Sequence, residues 1–412
     1  YSDYGDFDVE ITVPAEYNVW SSGVLHNAKE IYRNKYMERI EEASKSDEVI
    51  HIIDKSDRDE NKITVAGVKH VWKFKASNLP DFAFIVSNKY LWDATSAKVG
   101  DKRILVNSVY NESSENFRKV TEISKKSIEY YSNIVPAIPY PYPQFTAFNG
   151  EAKGMEFPAM INDREEDEFS TLFTTTHEIA HTYFPFYVGT NEQEYGWMDE
   201  GLVSIIGISA LVDFMETDEA SIFPLVNKKY HAESAKLAID IPLMVGTHSA
   251  GDFTSGFMTY VRPITAFSLL FDYMGKDKFY QAIREFTEQW KDKHPIPYDM
   301  FYAFNKVANE DLGWFWEPWF FDLGYADIAI GKIDFGTDEI TINVENWGSF
   351  PIPVNLTVNY KNGETHSVNK KMDIWKSGNK SCQIIVPKGD IAEVVLDTNT
   401  PEAYYVNNIL SY

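Results

Sequence analysis

The 412 residues predict an α+β protein in which sheet and helix occupy separate blocks of the chain. Three changes of texture carry that expectation. From Tyr1 to about residue 101, runs such as DVEITVP, HVWKFKA and DFAFIVSN alternate apolar with polar residues, and Gly, Asn and Asp clusters separate them. From about 165 to 325 the apolar residues recur at helical spacing instead. After Gly324 the alternation returns abruptly and holds to Tyr412. The expected division is therefore 1–101, 102–325 and 326–412, in keeping with the two or three domains that this length suggests.

In chain order, the first block is strand-rich except for NAKEIYRNKYMERIEEASK (27–45), a charged stretch with helical spacing that reads as a surface insertion. RILVNSVYNE (103–112) reads as a strand. Ser113 or Ser114 then caps a helix through about Val135, with Phe117, Val120, Ile123, Ile128 and Tyr131 on its apolar side. The proline-rich PAIPYPYPQF ends that helix and leads into a short strand. A helix over Thr171 to Phe184 follows and stops at Pro185; a second starts near Asp199 and continues through GLVSIIGISALVDFM. MTYVRPITAFSLLFDYMG closes at Gly275, and KFYQAIREFTEQWK and DMFYAFNKVANEDLG are helical in turn. GWFWEPWFF (313–321) reads as core or domain seam. In the last block, Asn362-Gly363 between alternating runs is a hairpin signal, and the whole suggests a small β-sandwich with no visible chemistry.

A net charge of −24 excludes nucleic acid and anionic membrane surfaces as expected partners. NDREEDE (162–168) reads as a solvated loop. One cysteine, Cys382, excludes an intramolecular disulfide framework and any cysteine-based metal cluster. The longest apolar runs are too short to span a bilayer. The opening YSDYGDFDVEITVP reads as the middle of a β-domain, with no signal-peptide pattern; an extracytoplasmic location is the expectation if a signal segment precedes Tyr1.

The chemistry concentrates between Thr174 and Gly201. His177, Glu178 and His181 form H-E-x-x-H, and Glu200 follows after eighteen residues. On a helix the two histidines share one face, a turn apart, where one Zn²⁺ ion can reach both. Two histidines and a glutamate leave a fourth position open for water, the mark of a catalytic site. Glu178 adjoins a ligand without being one, which suits it to act as general base.

These residues resemble the gluzincin zinc aminopeptidases, the family of aminopeptidase N and leukotriene hydrolase. H-E-x-x-H, eighteen residues and then Glu200 before glycine carry the likeness. GMEFP (154–158) is similar to that family's G-x-M-E-N motif, and Tyr260 in Y-V-R-P to its Y-x-K-G tyrosine. YPYPQF (140–145) and DLGWFWEPWF add to it. The resemblance implies a partial N-terminal β saddle, a thermolysin-like catalytic domain and a C-terminal β-sandwich, without the large helical domain that some members add. It implies one Zn²⁺ per chain on His177, His181 and Glu200, with Glu178 as base and Tyr260 stabilising the transition state. Gly154, Met155 and Glu156 would bind substrate, Glu156 holding the free α-amino group. The implied activity is release of N-terminal residues from peptides with free N-termini, by attack of a zinc-bound water.

Departures from the pattern are Lys153 for glycine, Phe157 for asparagine, Asp199 for asparagine and Arg262 for lysine. Phe157 would narrow the first side-chain pocket, and Lys153 would compete for the Glu156 carboxylate. Two alternatives stay open: a thermolysin-like endopeptidase or other zinc hydrolase on the same scaffold, and a non-catalytic scaffold protein.

Overall fold

The computed structural model describes residues 3–60, 62–234 and 241–412, the side chains of 252 and 253 excepted. Strands and helices are both abundant, as an α+β protein requires. The chain resolves into two compact units. One comprises Tyr1–Asn191, Ile206–Glu216 and Ile283–Ile296; the other comprises Glu192–Ile205, Thr217–Ala282 and Pro297–Tyr412.

The first unit is built on a mixed six-stranded sheet. Its order is Gly154–Phe157, Met160–Asp163, Gln144–Asn149, Lys102–Tyr110, Leu91–Val99 and Ile50–Ile53. Gly154–Phe157 is an edge strand. Leu91–Val99 and Lys102–Tyr110 pair as a tight hairpin, with Gly100 at φ +58° supplying the left-handed turn. The boundary expected at 101–102 thus falls in a hairpin turn, and the sheet runs straight through it.

The 27–45 stretch is not a surface insertion. It forms the helices Ala28–Ile31 and Asn34–Ala43, and it buries Ile31, Tyr32, Tyr36 and Ala43 among Trp20, Trp72 and Trp92. Its charges lie on the other face, where Arg39 and Lys35 pair with Asp57. The helix expected after Ser114 begins with a 3₁₀ turn, Asn116–Lys119, and continues as Val120–Asn133. Ser114 does not cap it; its hydroxyl donates to Asn149 Oδ1 at 2.7 Å. The Glu165 carboxylate instead accepts the N–H groups of Asn116 and Phe117, at 3.1 and 3.3 Å.

The second unit contains the helices Glu219–Ser234, Arg262–Met274 and Pro297–Ala308 and two small sheets. One sheet orders Ile328–Phe335, Glu339–Asn346 and Ser381–Pro387. The other orders Thr365–Lys370, Val354–Tyr360, Ile391–Leu396 and Ile409–Ser411. The Asn362-Gly363 hairpin forms as expected, with Gly363 at φ +89°. In the aromatic run, Phe315, Trp316, Trp319 and Phe320 are buried. Arg262 is fully buried, and its guanidinium donates to the carbonyls of Ile241, Pro318, Trp319 and Asp322 at 2.8–3.2 Å. It also lies 4.5 Å from the centre of the Phe350 ring. Arg262 therefore clamps the aromatic turn by its backbone. Arg262→Ala is expected to destabilise the protein by about 3–5 kcal/mol, because several carbonyls lose a charged donor at once. Urea unfolding measures this; a change below about 1 kcal/mol contradicts the clamp.

Candidate functional site

The helix carrying H-E-x-x-H is Glu168–Ala180. It starts where Asp167 turns its carboxylate onto the N–H groups of Phe169 and Ser170, both at 3.1 Å. NDREEDE is therefore not a mere solvated loop: Asp163 ends a strand, Glu165 and Asp167 each serve a helix start, and Asp163 is buried. The helix ends one residue before His181, earlier than the Phe184 expected from the sequence. Thr182–Tyr187 continues as a wide π turn, in which Phe184 leaves helical geometry. That departure has a use. The Phe184 carbonyl turns back onto His181 Nδ1 at 2.9 Å, which places the proton on Nδ1 and directs the Nε2 lone pair outward.

His177 Nε2 and His181 Nε2 lie 3.3 Å apart. Two nitrogens bound at about 2.0–2.1 Å to one tetrahedral zinc ion lie about 3.3–3.4 Å apart. The pair is thus spaced as one edge of such a site, and neutral imidazole nitrogens are suitable donors for it. The Phe173 ring stacks beside His177 at 6.2 Å and is partly exposed.

Glu178 is buried, and its position explains a glycine. A Cβ built on Gly154 would overlap Glu178 Oε1, and it would meet Thr174 Cγ2 at 3.1 Å. Only glycine lets the edge strand pass this close to the carboxylate. Glu156, two residues along, shares that face. Donor atoms of Glu156, Glu178 and His181 lie within 4.8 Å of one another, so this unit by itself holds a His/Glu group that could take a metal ion or another cation. Met155 and Phe157 point to the opposite face of the strand. Phe157 stacks on Phe148 at 6.3 Å, so its ring packs against the sheet instead of narrowing a pocket beside Glu156. Lys153 is exposed.

In the second unit, Glu200 lies in a π turn, Trp197–Gly201, which runs on as the helix Leu202–Phe214. Tyr260 lies in another, Phe257–Val261. Single π turns of this kind recur at functional positions. The Tyr260 hydroxyl donates to Glu200 Oε1. Asp199, next to Glu200, is buried. Further along the same helix, a Cβ built on Gly207 would lie 3.5 Å from His177 Cα, so a small side chain there would just touch the backbone of the motif helix.

Sequence reasoning missed Asp163. Its Oδ2 accepts the Thr175 hydroxyl at 2.7 Å beneath the motif helix, and burial pushes its carboxyl up to about 7. The folded protein therefore holds a proton that the unfolded chain releases near pH 4. Stability falls as pH rises from about 4 to 7 and then levels. Asp163→Asn removes that slope. Relative to the parent, the variant is expected to gain stability over that window, by on the order of a few kcal/mol. Urea midpoints between pH 4.5 and 7.5 test this, and a difference that does not change with pH contradicts it.

Residues 121–319 match the Peptidase family M1 domain. That match, over just under half of the chain, supports the gluzincin aminopeptidase family that its motifs resemble. One curated relative is Aminopeptidase M1-D of Oryza sativa subsp. japonica, 20% identical over 223 residues. The match covers 52% of this chain and 25% of the relative, so the chain spans about a quarter of that protein's length.

Proposed function

We propose that the protein is a zinc metallopeptidase that removes residues from the free N-termini of peptides, with zinc held by His177, His181 and Glu200. The observation that carries the proposal is the 3.3 Å spacing of the two Nε2 atoms, one of them fixed by the Phe184 carbonyl. Glu200 is proposed as third ligand from its place in the sequence, after the eighteen residues that follow His181 and directly before a glycine.

Bound there, zinc would supply a Lewis acid that polarises a peptide carbonyl and acidifies water. The side chains do the rest. Glu178, held under Gly154, accepts a proton from the attacking water and returns it to the departing amine. Glu156 beside it makes this corner doubly acidic, a fitting partner for an α-ammonium group and a poor one for an acetylated end. The Tyr260 hydroxyl is the donor proposed for charge growing on the carbonyl oxygen, and it must exchange Glu200 for that oxygen as the charge develops.

The test combines metal analysis with a pair of peptides that differ only in N-terminal acetylation. One zinc per chain is expected, and activity should disappear on chelation and return with added Zn²⁺. The acetylated peptide should be cut poorly. Glu156→Ala should keep its zinc and lose activity on the free peptide by about 10²-fold. Efficient cleavage of the acetylated peptide, indifferent to Glu156→Ala, would make the protein an endopeptidase. Activity that survives chelation would remove zinc from the proposal.

A further inference from the structure

We infer that the protein selects peptides whose second residue is aromatic, through the exposed rings of Phe169 and Phe173 on the motif helix. This rests on the proposed peptidase activity, in which Glu156 holds the α-amino group and the attacked carbonyl lies at the two histidines. Phe169 and Phe173 are 51% and 41% exposed, at positions where a surface helix presents polar side chains to water. Four residues apart, they share the stripe that runs on through His177 to His181. Adjacent apolar rings kept in water beside polar groups are a mark of a binding groove.

The order of groups along that stripe decides which part of a peptide meets the rings. Donor atoms of Glu156 and His181 lie within 4.8 Å of each other, so the amine belongs to the His181 end. Phe173 stands at the other end. Its ring lies 6.2 Å from that of His177, nearly parallel to it at 16°, and Phe169 is one turn further on. A peptide held by its amine at His181 and cut at the histidines therefore runs on toward Phe173. Its second residue follows the scissile bond directly, with its Cα about 3.8 Å past the first. The edge strand Gly154–Phe157 flanks this path, since a Cβ on Gly154 would meet Thr174, the neighbour of Phe173. From Phe169 to Thr176 the helix carries no charged residue. An ionised second side chain finds no counter-charge on this stretch, whereas an aromatic one finds two rings to pack on.

The probes are the peptides Ala-Phe-Ala, Ala-Ala-Ala and Phe-Ala-Ala, with release of the first residue followed by mass spectrometry on the full chain. kcat/KM for Ala-Phe-Ala is expected to exceed that for Ala-Ala-Ala by about 10–30-fold, the value of packing one ring on apolar surface. Phe169→Ala should cut that ratio by about 3-fold, and Phe169→Ala with Phe173→Ala should bring it close to one. A fall in all rates with the ratio intact would mean that the rings only support His177. A loss confined to Phe-Ala-Ala would assign them to the first residue. Either result overturns the inference. The same peptides are titrated by calorimetry into the protein freed of metal by chelation, where nothing is cut. The preference for Ala-Phe-Ala, and its reduction by Phe169→Ala, should persist there. A binding preference without turnover in the zinc-loaded protein overturns the peptidase activity and keeps the selective surface. Turnover at equal rates for Ala-Phe-Ala and Ala-Ala-Ala overturns the selection and keeps the peptidase.

Discussion

Glu178→Gln is expected to keep its zinc and lose turnover by about 10²–10⁴-fold, the range for removal of a general base. The amide has nearly the shape of the carboxylate, so it fits the same space beneath Gly154 and beside His181. It cannot take a proton from water. The loss should therefore appear in kcat, with zinc content, KM and melting temperature close to the parent. Full turnover in this variant would end the general-base assignment. Loss of zinc would mean instead that Glu178 has a part in holding the metal.

Gly154→Ala is expected to cost about 10²-fold in kcat, although the residue has no chemistry of its own. The added methyl would occupy the place of the Glu178 carboxylate oxygen, with Thr174 closing the other side. The strand has little room to retreat, because Gly154, Met155, Glu156 and Phe157 are all paired with Met160–Asp163. Glu178 must swing aside, and displacement of a catalytic group by about an ångström carries a penalty of that order. A double variant separates this route from a general disturbance. In the Glu178→Gln background, Gly154→Ala should have little further effect on kcat, since both changes act on one group. Equal losses in the two backgrounds would show that the glycine acts elsewhere.

What could be read from the sequence, and what could not, follows from the range of the forces involved. The closeness of His177 and His181 was legible because a spacing of four on a helix puts them on one face. The hairpin at Asn362-Gly363 was legible because its turn chemistry is local. The end of the motif helix was not. Helical spacing continues to Phe184, and only the structure shows the chain leaving the helix so that a carbonyl returns to His181. Asp163 hid inside a run of acidic residues of which the others are partly or fully exposed; nothing in NDREEDE separates a buried carboxylate from solvated ones. Asp167 could have been found, since an aspartate just ahead of a helical pattern is a capping signal. The facing of Phe157 depends on strand phase, which a four-residue strand does not reveal by itself. The 27–45 stretch misled by its charge, because the few aromatic and aliphatic residues on one side settled its place in the core.

The edge position of Gly154–Phe157 has a consequence for what such a protein could discriminate. Among the described residues no strand pairs along its outer side, so its free N–H and C=O groups repeat at the interval of an extended chain. A peptide lying there would be gripped by main-chain atoms that every sequence shares. Discrimination would then fall on the residue next to the metal, and tolerance would be wide further along. The same open side invites one copy of the molecule to zip onto another. The carboxylate of Glu156 and the exposed ammonium of Lys153 stand at that edge as deterrents, since pairing two copies would crowd charged groups together.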